Sequence, residues 1–210
     1  MADKETSWKY AEELVIESEA IQAARATSLE HGVEPISPSQ GAQLAVLAAA
    51  TNATSIIEVG TGFGVSGLWA FTGAPEATLT SIDLEVEYQQ SAKRAFSDFG
   101  IPVNRARLIA GRAHEVLPRM NESSYDIVLV DADPGSVIEY VEHALRLVRV
   151  GGAVLVPHAL WRGRVADPAQ RDETVTNFRT LLDEIARSTA VLSALSLAGD
   201  GLLQLTRVAA

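Results

Sequence analysis

Cysteine is absent from the 210 residues, which removes disulfides, thiolate metal sites and a cysteine nucleophile at once. Basic charge is scarce: 17 Lys and Arg stand against 27 Asp and Glu, a formal net charge of −10. Because those cations are scattered along the chain, nucleic-acid backbones and anionic membrane surfaces are poor partners for it. No apolar run reaches the length of a membrane span, and the opening Met-Ala-Asp-Lys-Glu-Thr lacks the basic-then-apolar order of a signal peptide. A cytoplasmic location is the expectation. Internal repeats, low-complexity stretches and an interdomain linker are also missing. The length therefore reads as a single domain with a full core, a helical cap over 1–51 leading into a core over 52–210.

What is present is an alternation of strand-like and helix-like segments. Helical patterns run over 8–29, from a cap at Ser37 or Ser39 to Thr51, and over 65–71, 86–99, 113–117, 134–148 and 168–187. Strand patterns occupy 55–59, 78–82, 106–110, 125–130, 153–156, 191–197 and 202–207. Strands alternating with helices require right-handed crossovers. They predict an α/β, doubly wound, Rossmann-like fold whose seven-stranded sheet is mostly parallel, with helices on both faces. The last two strands are separated by hairpin spacing at Ala198-Gly-Asp-Gly201, so one strand near the C-terminus should be antiparallel.

The densest chemical signal is Ile56-Ile-Glu-Val-Gly-Thr-Gly-Phe-Gly-Val-Ser-Gly67, an apolar run and a carboxylate followed by four glycines at the start of a helix. Glycines let a backbone approach a ligand closely, and a helix N-terminus offers unpaired N–H groups, so the segment reads as a nucleotide-type cofactor site. Two patterns overlap in it. Gly62-x-Gly64-x-x-Gly67 meets the dinucleotide fingerprint but starts two residues after the strand, whereas Gly60, directly after it, would require a glycine where Val65 stands. Glu58 would repel a pyrophosphate yet can accept from an ammonium group, which S-adenosylmethionine carries. The alternative role for Glu58 is to hydrogen-bond the loop backbone.

In a doubly wound sheet the ligand lies beyond the carboxyl ends of the strands. The residues at those ends are Glu58 to Gly62, Asp83, Gly111-Arg-Ala113, Asp131-Ala-Asp133 and Pro157-His158. Asp83, nineteen residues past Gly64, suits the two ribose hydroxyls, or else caps the next helix.

The ordered set Glu58-x-Gly-Thr-Gly-x-Gly-x-Ser66, Ser81-Ile-Asp83, Gly111-Arg-Ala113, Asp131-Ala-Asp133, Val150-Gly-Gly152, Leu160-Trp-Arg-Gly-Arg-Val165 and Gly199-Asp-Gly-Leu202 resembles the small O-methyltransferases that include catechol and caffeoyl-coenzyme A O-methyltransferases. The resemblance runs from about Ser37 to the C-terminus. It implies S-adenosylmethionine as methyl donor, with Ile36 and Ser37 at its methionine end and Glu58, Gly60, Thr61 and Ser66 at its amino-acid portion. It places Asp83 and Leu84 at the ribose, Ala113 at the adenine and Asp131 near the sulfonium. It also implies a homodimer.

Two positions depart from that pattern. The family usually reads Asp-Ala-Asp-Lys where this chain has Asp131-Ala-Asp-Pro134, and Asp-Asn where it has Pro157-His158. In the family the first aspartate and the Asp-Asn pair hold a divalent metal. Proline has no side-chain donor and imidazole suits Mg²⁺ poorly, so no intact magnesium site is expected, and Asp131 with His158 alone would hold a softer metal weakly. Pro134 suits the first position of a helix capped by Asp133. His158 becomes the candidate base, with Asp133 beside it as the other candidate on the catalytic side; otherwise His158 fills space beside Trp161. Trp161 and Arg162 are candidate acceptor contacts. His31, His114 and His143 are given solvated or packing roles.

The expected function is methyl transfer from S-adenosylmethionine to a hydroxyl oxygen of a small, aromatic acceptor without a required metal. Two alternatives stay open, a cofactor-binding module that has lost catalysis and an NAD(P)-dependent oxidoreductase.

Overall fold

The structure is a computed structural model and describes residues 4–209; the first three residues of the expected cap lie outside it. Seven strands form one sheet in the order β3-β2-β1-β4-β5-β7-β6. They are β1 (Ser55–Val59), β2 (Thr78–Asp83), β3 (Ala106–Ala110), β4 (Tyr125–Val130), β5 (Val148–Val156), β6 (Val191–Ser196) and β7 (Leu202–Arg207). Strands β1 to β5 pair in parallel, while β7 runs antiparallel to both β5 and β6. The hairpin spacing predicts that one of the last two strands is reversed, and that strand is β7.

Among the described residues, eight α-helices surround the sheet: α1 (Lys4–Glu13), α2 (Glu19–Glu30), α3 (Pro38–Ala50), α4 (Val65–Gly73), α5 (Val86–Asp98), α6 (Ala113–Val116), α7 (Val137–Leu147) and α8 (Glu173–Arg187). Alternation along the strands sorts the core into two layers. Ile57, Val59, Val128 and Val130 pack with Tyr140, Val141 and Phe178 under α6, α7 and α8. Ile56, Ile127 and Leu129 pack with Leu44, Leu68, Trp69 and Phe96 under α2 to α5. Glu58 shares the second face with Ile56 by the same alternation, which aims its carboxylate at the start of α4.

Four segments depart from the sequence expectation by three residues or more. The helix expected over 8–29 is broken at residues 14–18, because Ser18 caps α2 by accepting from the Ile21 N–H at 3.3 Å and Glu17 leaves the helical path to pair with Arg25 at 2.6 Å. The helix expected from residue 134 begins as a 3₁₀ turn at Pro134–Ser136 before α7. The one expected from residue 168 starts at Glu173, where Asp172 supplies the cap by accepting from the Val175 N–H at 3.3 Å. Strand β5 begins at Val148 and carries Gly151 and Gly152 within it, where the register with β4 shifts between Tyr125 and Ile127. A glycine pair in a strand marks such a bulge.

The amino end of β4 is clamped to that of β1 by Asp126. Its carboxylate accepts from the Thr54 N–H at 2.7 Å, the Thr54 hydroxyl at 3.0 Å, the Ser55 N–H at 3.0 Å and Arg149 Nε at 2.7 Å. Burial alone would raise its pKa, but these donors together hold it below the ordinary aspartate range. The clamp fixes one end of the two central strands, and their other ends form the site.

Candidate active site

Strand order reverses direction between β1 and β4, and the loops leaving these neighbours diverge to opposite faces, opening a crevice at the switch point. A cleft of about 520 Å³ occupies it. Gly60 forms its floor, with φ +96° and with an imagined Cβ only 1.8 Å from the Asp131 carbonyl oxygen. Any side chain there would part β1 from β4. Gly62 and Gly64 also take positive φ, of 48° and 91°, so the turn into α4 folds back tightly enough to leave its first N–H groups facing the cleft.

Ile36, Gly60, Thr61, Ser66, Asp83, Leu84, Ala113 and Asp131 line this cleft, as does Asp133. Glu58 lies behind them, 1 % exposed. It accepts a short hydrogen bond from the Ser66 hydroxyl and one of 2.5 Å from Ser81 Oγ, which in turn lies 2.6 Å from Thr61 Oγ1. Burial pushes the Glu58 carboxyl up to about 7, against the pull of the Ser66 and Ser81 hydroxyls and with a further push from Asp131 and Asp83. Asp83 staples the turn: Oδ2 accepts from the Gly62 N–H at 2.8 Å and Oδ1 from the Glu85 N–H at 2.9 Å. Ser37 is turned away from the main cleft. It closes a capping box with Gln40 and donates to Glu12 at 3.0 Å.

On the opposite wall, His158 sits behind Asp131 and is not among the residues lining the cleft. Its Nε2 is 3.8 Å from Asp131 Oδ1 and its Nδ1 is 3.3 Å from Asp200 Oδ2. Burial lowers the imidazole pKa, but the Asp200 hydrogen bond and the charges of Asp131, Asp200 and Glu34 outweigh it and raise the value. Burial likewise raises Asp131, partly offset by His158. Asp133 spends its carboxylate on the 3₁₀ turn, accepting from the Gly135 N–H at 3.2 Å and the Ser136 hydroxyl at 2.9 Å. Trp161 stacks on Phe178 with ring centroids 5.8 Å apart, and Arg162 pairs with Glu34 at the cleft mouth. Among the described residues, no group of three or more Asp, Glu or His side chains is placed to hold a metal.

Three residues that the sequence did not single out matter here. Glu12 gathers Ser37, Ser39 and the Gly199 N–H on one carboxylate. Glu34 lines the cleft, and Asp200 anchors His158. Their partners lie far away in sequence, and only the Gly199-Asp-Gly-Leu202 motif carried a visible signal for one of them. His31 packs against Phe63 with ring centroids 4.8 Å apart and planes tilted by 38°, and His114 lines the cleft.

Known proteins share this architecture. The profile of the O-methyltransferase family matches residues 6–208. A protein of Mycobacteroides abscessus named provisionally as an O-methyltransferase is 44 % identical over 202 residues, covering 94 % of this chain and 93 % of its own. The O-methyltransferase TomG of Streptomyces achromogenes, involved in tomaymycin synthesis and solved with S-adenosylmethionine, superposes with a TM-score of 0.85 at 27 % identity over 99 % of this chain and 100 % of its own. A Corynebacterium glutamicum protein superposes with a TM-score of 0.89 at 28 % identity, covering 98 % and 97 %. The chain belongs to the O-methyltransferase family.

Proposed function

We propose that the protein transfers the methyl group of S-adenosylmethionine to a hydroxyl oxygen of a small, aromatic acceptor. The observation that carries this reading is the cleft at the β1/β4 switch point, floored by Gly60 pressed against the Asp131 carbonyl. When bound, the cofactor supplies an electrophilic methyl on sulfur; the chain's part is to orient the two reactants and remove one proton. Ser66 and the first N–H groups of α4 suit the cofactor carboxylate, Thr61 and the buried Glu58 its ammonium side, Asp83 and Leu84 the ribose, and Ala113 the adenine. Ile36 and Asp131 flank the reacting centre, and Ser37 supports Ile36 by fixing the start of α3. Asp133 shapes the acceptor wall through the turn that it caps.

His158 is the proton acceptor in this reading. The donor set does not fit magnesium, since Pro157 offers no side-chain donor atom and His158 offers a ring nitrogen beside a single carboxylate, Asp131. No step is therefore routed through a metal. With isotopically labelled methyl donor and a panel of phenols and catechols, His158→Ala should lower kcat about a hundredfold, the usual reach of a general base. Its cofactor affinity should stay near that of the wild type, and a chelator should leave wild-type turnover unchanged. Full turnover in the variant would remove His158 from the mechanism, and loss of turnover restored only by Mg²⁺ would reverse the metal reading. Preferential binding of NAD(H) would overturn the donor assignment.

A homodimer in the cytoplasm completes the proposal. Exposed Trp8, Tyr10, Leu14 and Ile16 in and after α1, together with Val46 on α3, are the apolar surface that a second copy would cover. Light scattering should give twice the chain mass, falling to one on replacing Tyr10 and Val46 by Glu.

A further inference from the structure

The segment after β5 is held in an unfavourable backbone conformation. His158, Trp161 and Arg162 have φ of 58°, 46° and 55°, a left-handed region that costs a non-glycine residue about 1–2 kcal/mol each. Such a conformation persists only where its surroundings over-determine it. Here the surroundings are the loop between β6 and β7: the Ala159 N–H donates to Gly201 O and the Leu160 N–H to Asp200 O, both at 3.0 Å. The Asp200 side chain, 17 % exposed, divides its two oxygens. Oδ1 accepts from the Arg162 N–H at 2.6 Å, and Oδ2 lies 3.3 Å from His158 Nδ1. An ionised carboxylate only accepts, so Nδ1 carries the hydrogen. Nε2 is thereby turned toward Asp131 Oδ1 at 3.8 Å, beyond hydrogen-bonding reach and uncommitted.

We propose that Asp200 is a positioning residue for methyl transfer: it fixes both the strained 158–163 turn and the His158 ring, keeping Nε2 as the nitrogen turned toward Asp131 and the cleft that Asp131 lines. The inference rests on the reading of His158 as proton acceptor. Asp200→Asn tests it sharply. The Arg162 N–H would keep the amide oxygen, so the amide nitrogen would face Nδ1 and donate to it, forcing the hydrogen onto Nε2 and removing the free lone pair. The expected result is a fall in kcat of about a hundredfold, the full contribution of the base, with cofactor affinity and melting temperature near wild type. Long-range ¹H–¹⁵N correlation spectra at alkaline pH should show the His158 ring protonated at Nδ1 in the wild type and at Nε2 in the variant. In a His158→Ala background, Asp200→Asn should change kcat no further. Loss of turnover in that background equal to the loss in the wild type, or an unchanged ring tautomer in Asp200→Asn, would overturn the proposal. If His158→Ala retains full turnover while the tautomer still switches, the base reading fails and the positioning of the ring stands.

Discussion

Gly60→Ala is expected to destabilise the protein by at least about 3 kcal/mol and to abolish cofactor binding. The φ of +96° costs an alanine about 1–2 kcal/mol on its own. The larger part comes from position, since the new methyl would stand 1.8 Å from the Asp131 carbonyl oxygen. Neither backbone can yield easily. The Gly60 N–H donates to Ile82 O and the Asp131 N–H to Val59 O, both at 2.8 Å, so moving either residue breaks a link between the central strands. Relief requires spreading β1 from β4 at the switch point, which deforms the cleft floor itself. Gly32→Ala is the matched control: its φ is +72° but nothing lies within 4 Å of the added carbon, so only the backbone penalty remains. Urea unfolding of the two variants, with cofactor titration of any that folds, separates the contributions. A Gly60→Ala midpoint equal to that of Gly32→Ala would mean that the strand ends part without strain.

The strand before Gly60 is readable because Ile56, Ile57 and Val59 are buried in a parallel sheet, and an apolar run ending in glycine has few other folds open to it. Strand β4 is readable to the residue for the same reason, its residues after Tyr125 being buried. The interruption at residues 14–18 is not readable, because the apolar pattern continues through Leu14, Val15 and Ile16. What ends α1 is a tertiary competitor, the Glu17–Arg25 pair and the contact from Trp69 Nε1 to Glu17 at 3.4 Å. Pro168 resembles a helix start, whereas the cap is Asp172, four residues on.

The site divides in the same way. Residues at a strand's last position or up to three beyond it, such as Asp83, Ala113 and Asp131, reach the cleft because the sheet delivers the carboxyl ends of β1 to β4 there. Their placement needs no knowledge of partners. The family resemblance implies a place for Ser37 at the methionine end of the cofactor, but carries no sign that its hydroxyl donates to Glu12 from another helix. Asp200 joins His158 across forty-two residues, a pairing that no local pattern encodes. His158 itself was visible as a strand-end residue, but not its depth behind Asp131.

Glu58 should make both stability and cofactor binding depend on pH in a way that Glu58→Gln abolishes. The ordinary glutamate value of 4.5 rises to about 7 in the folded chain because burial disfavours the charge. The folded state therefore holds a proton that the unfolded state has released between those values. The stabilisation this provides is complete below 4.5 and disappears as pH rises through about 7, a swing of roughly 3 kcal/mol. Glu58→Gln keeps an oxygen for one of the Ser66 and Ser81 hydroxyls and lacks the titration. Its urea midpoint should match wild type near pH 5 and exceed it near pH 8 in the free protein. Binding should run the opposite way. The cofactor's ammonium, arriving beside Ser66 in a site shielded from water, favours the ionised carboxylate and pulls its pKa down. Cofactor binding near pH 6 should therefore release a proton, and wild-type affinity should climb as pH rises toward 7, by at most tenfold per unit. Glu58→Gln should bind weakly at every pH without proton release. Calorimetry in two buffers of different ionisation enthalpy counts the proton. 5′-Methylthioadenosine, which lacks the amino-acid portion, should bind the wild type without releasing it. If the full cofactor also binds without proton release, its ammonium lies elsewhere and Glu58 serves only to hold Ser66 and Ser81.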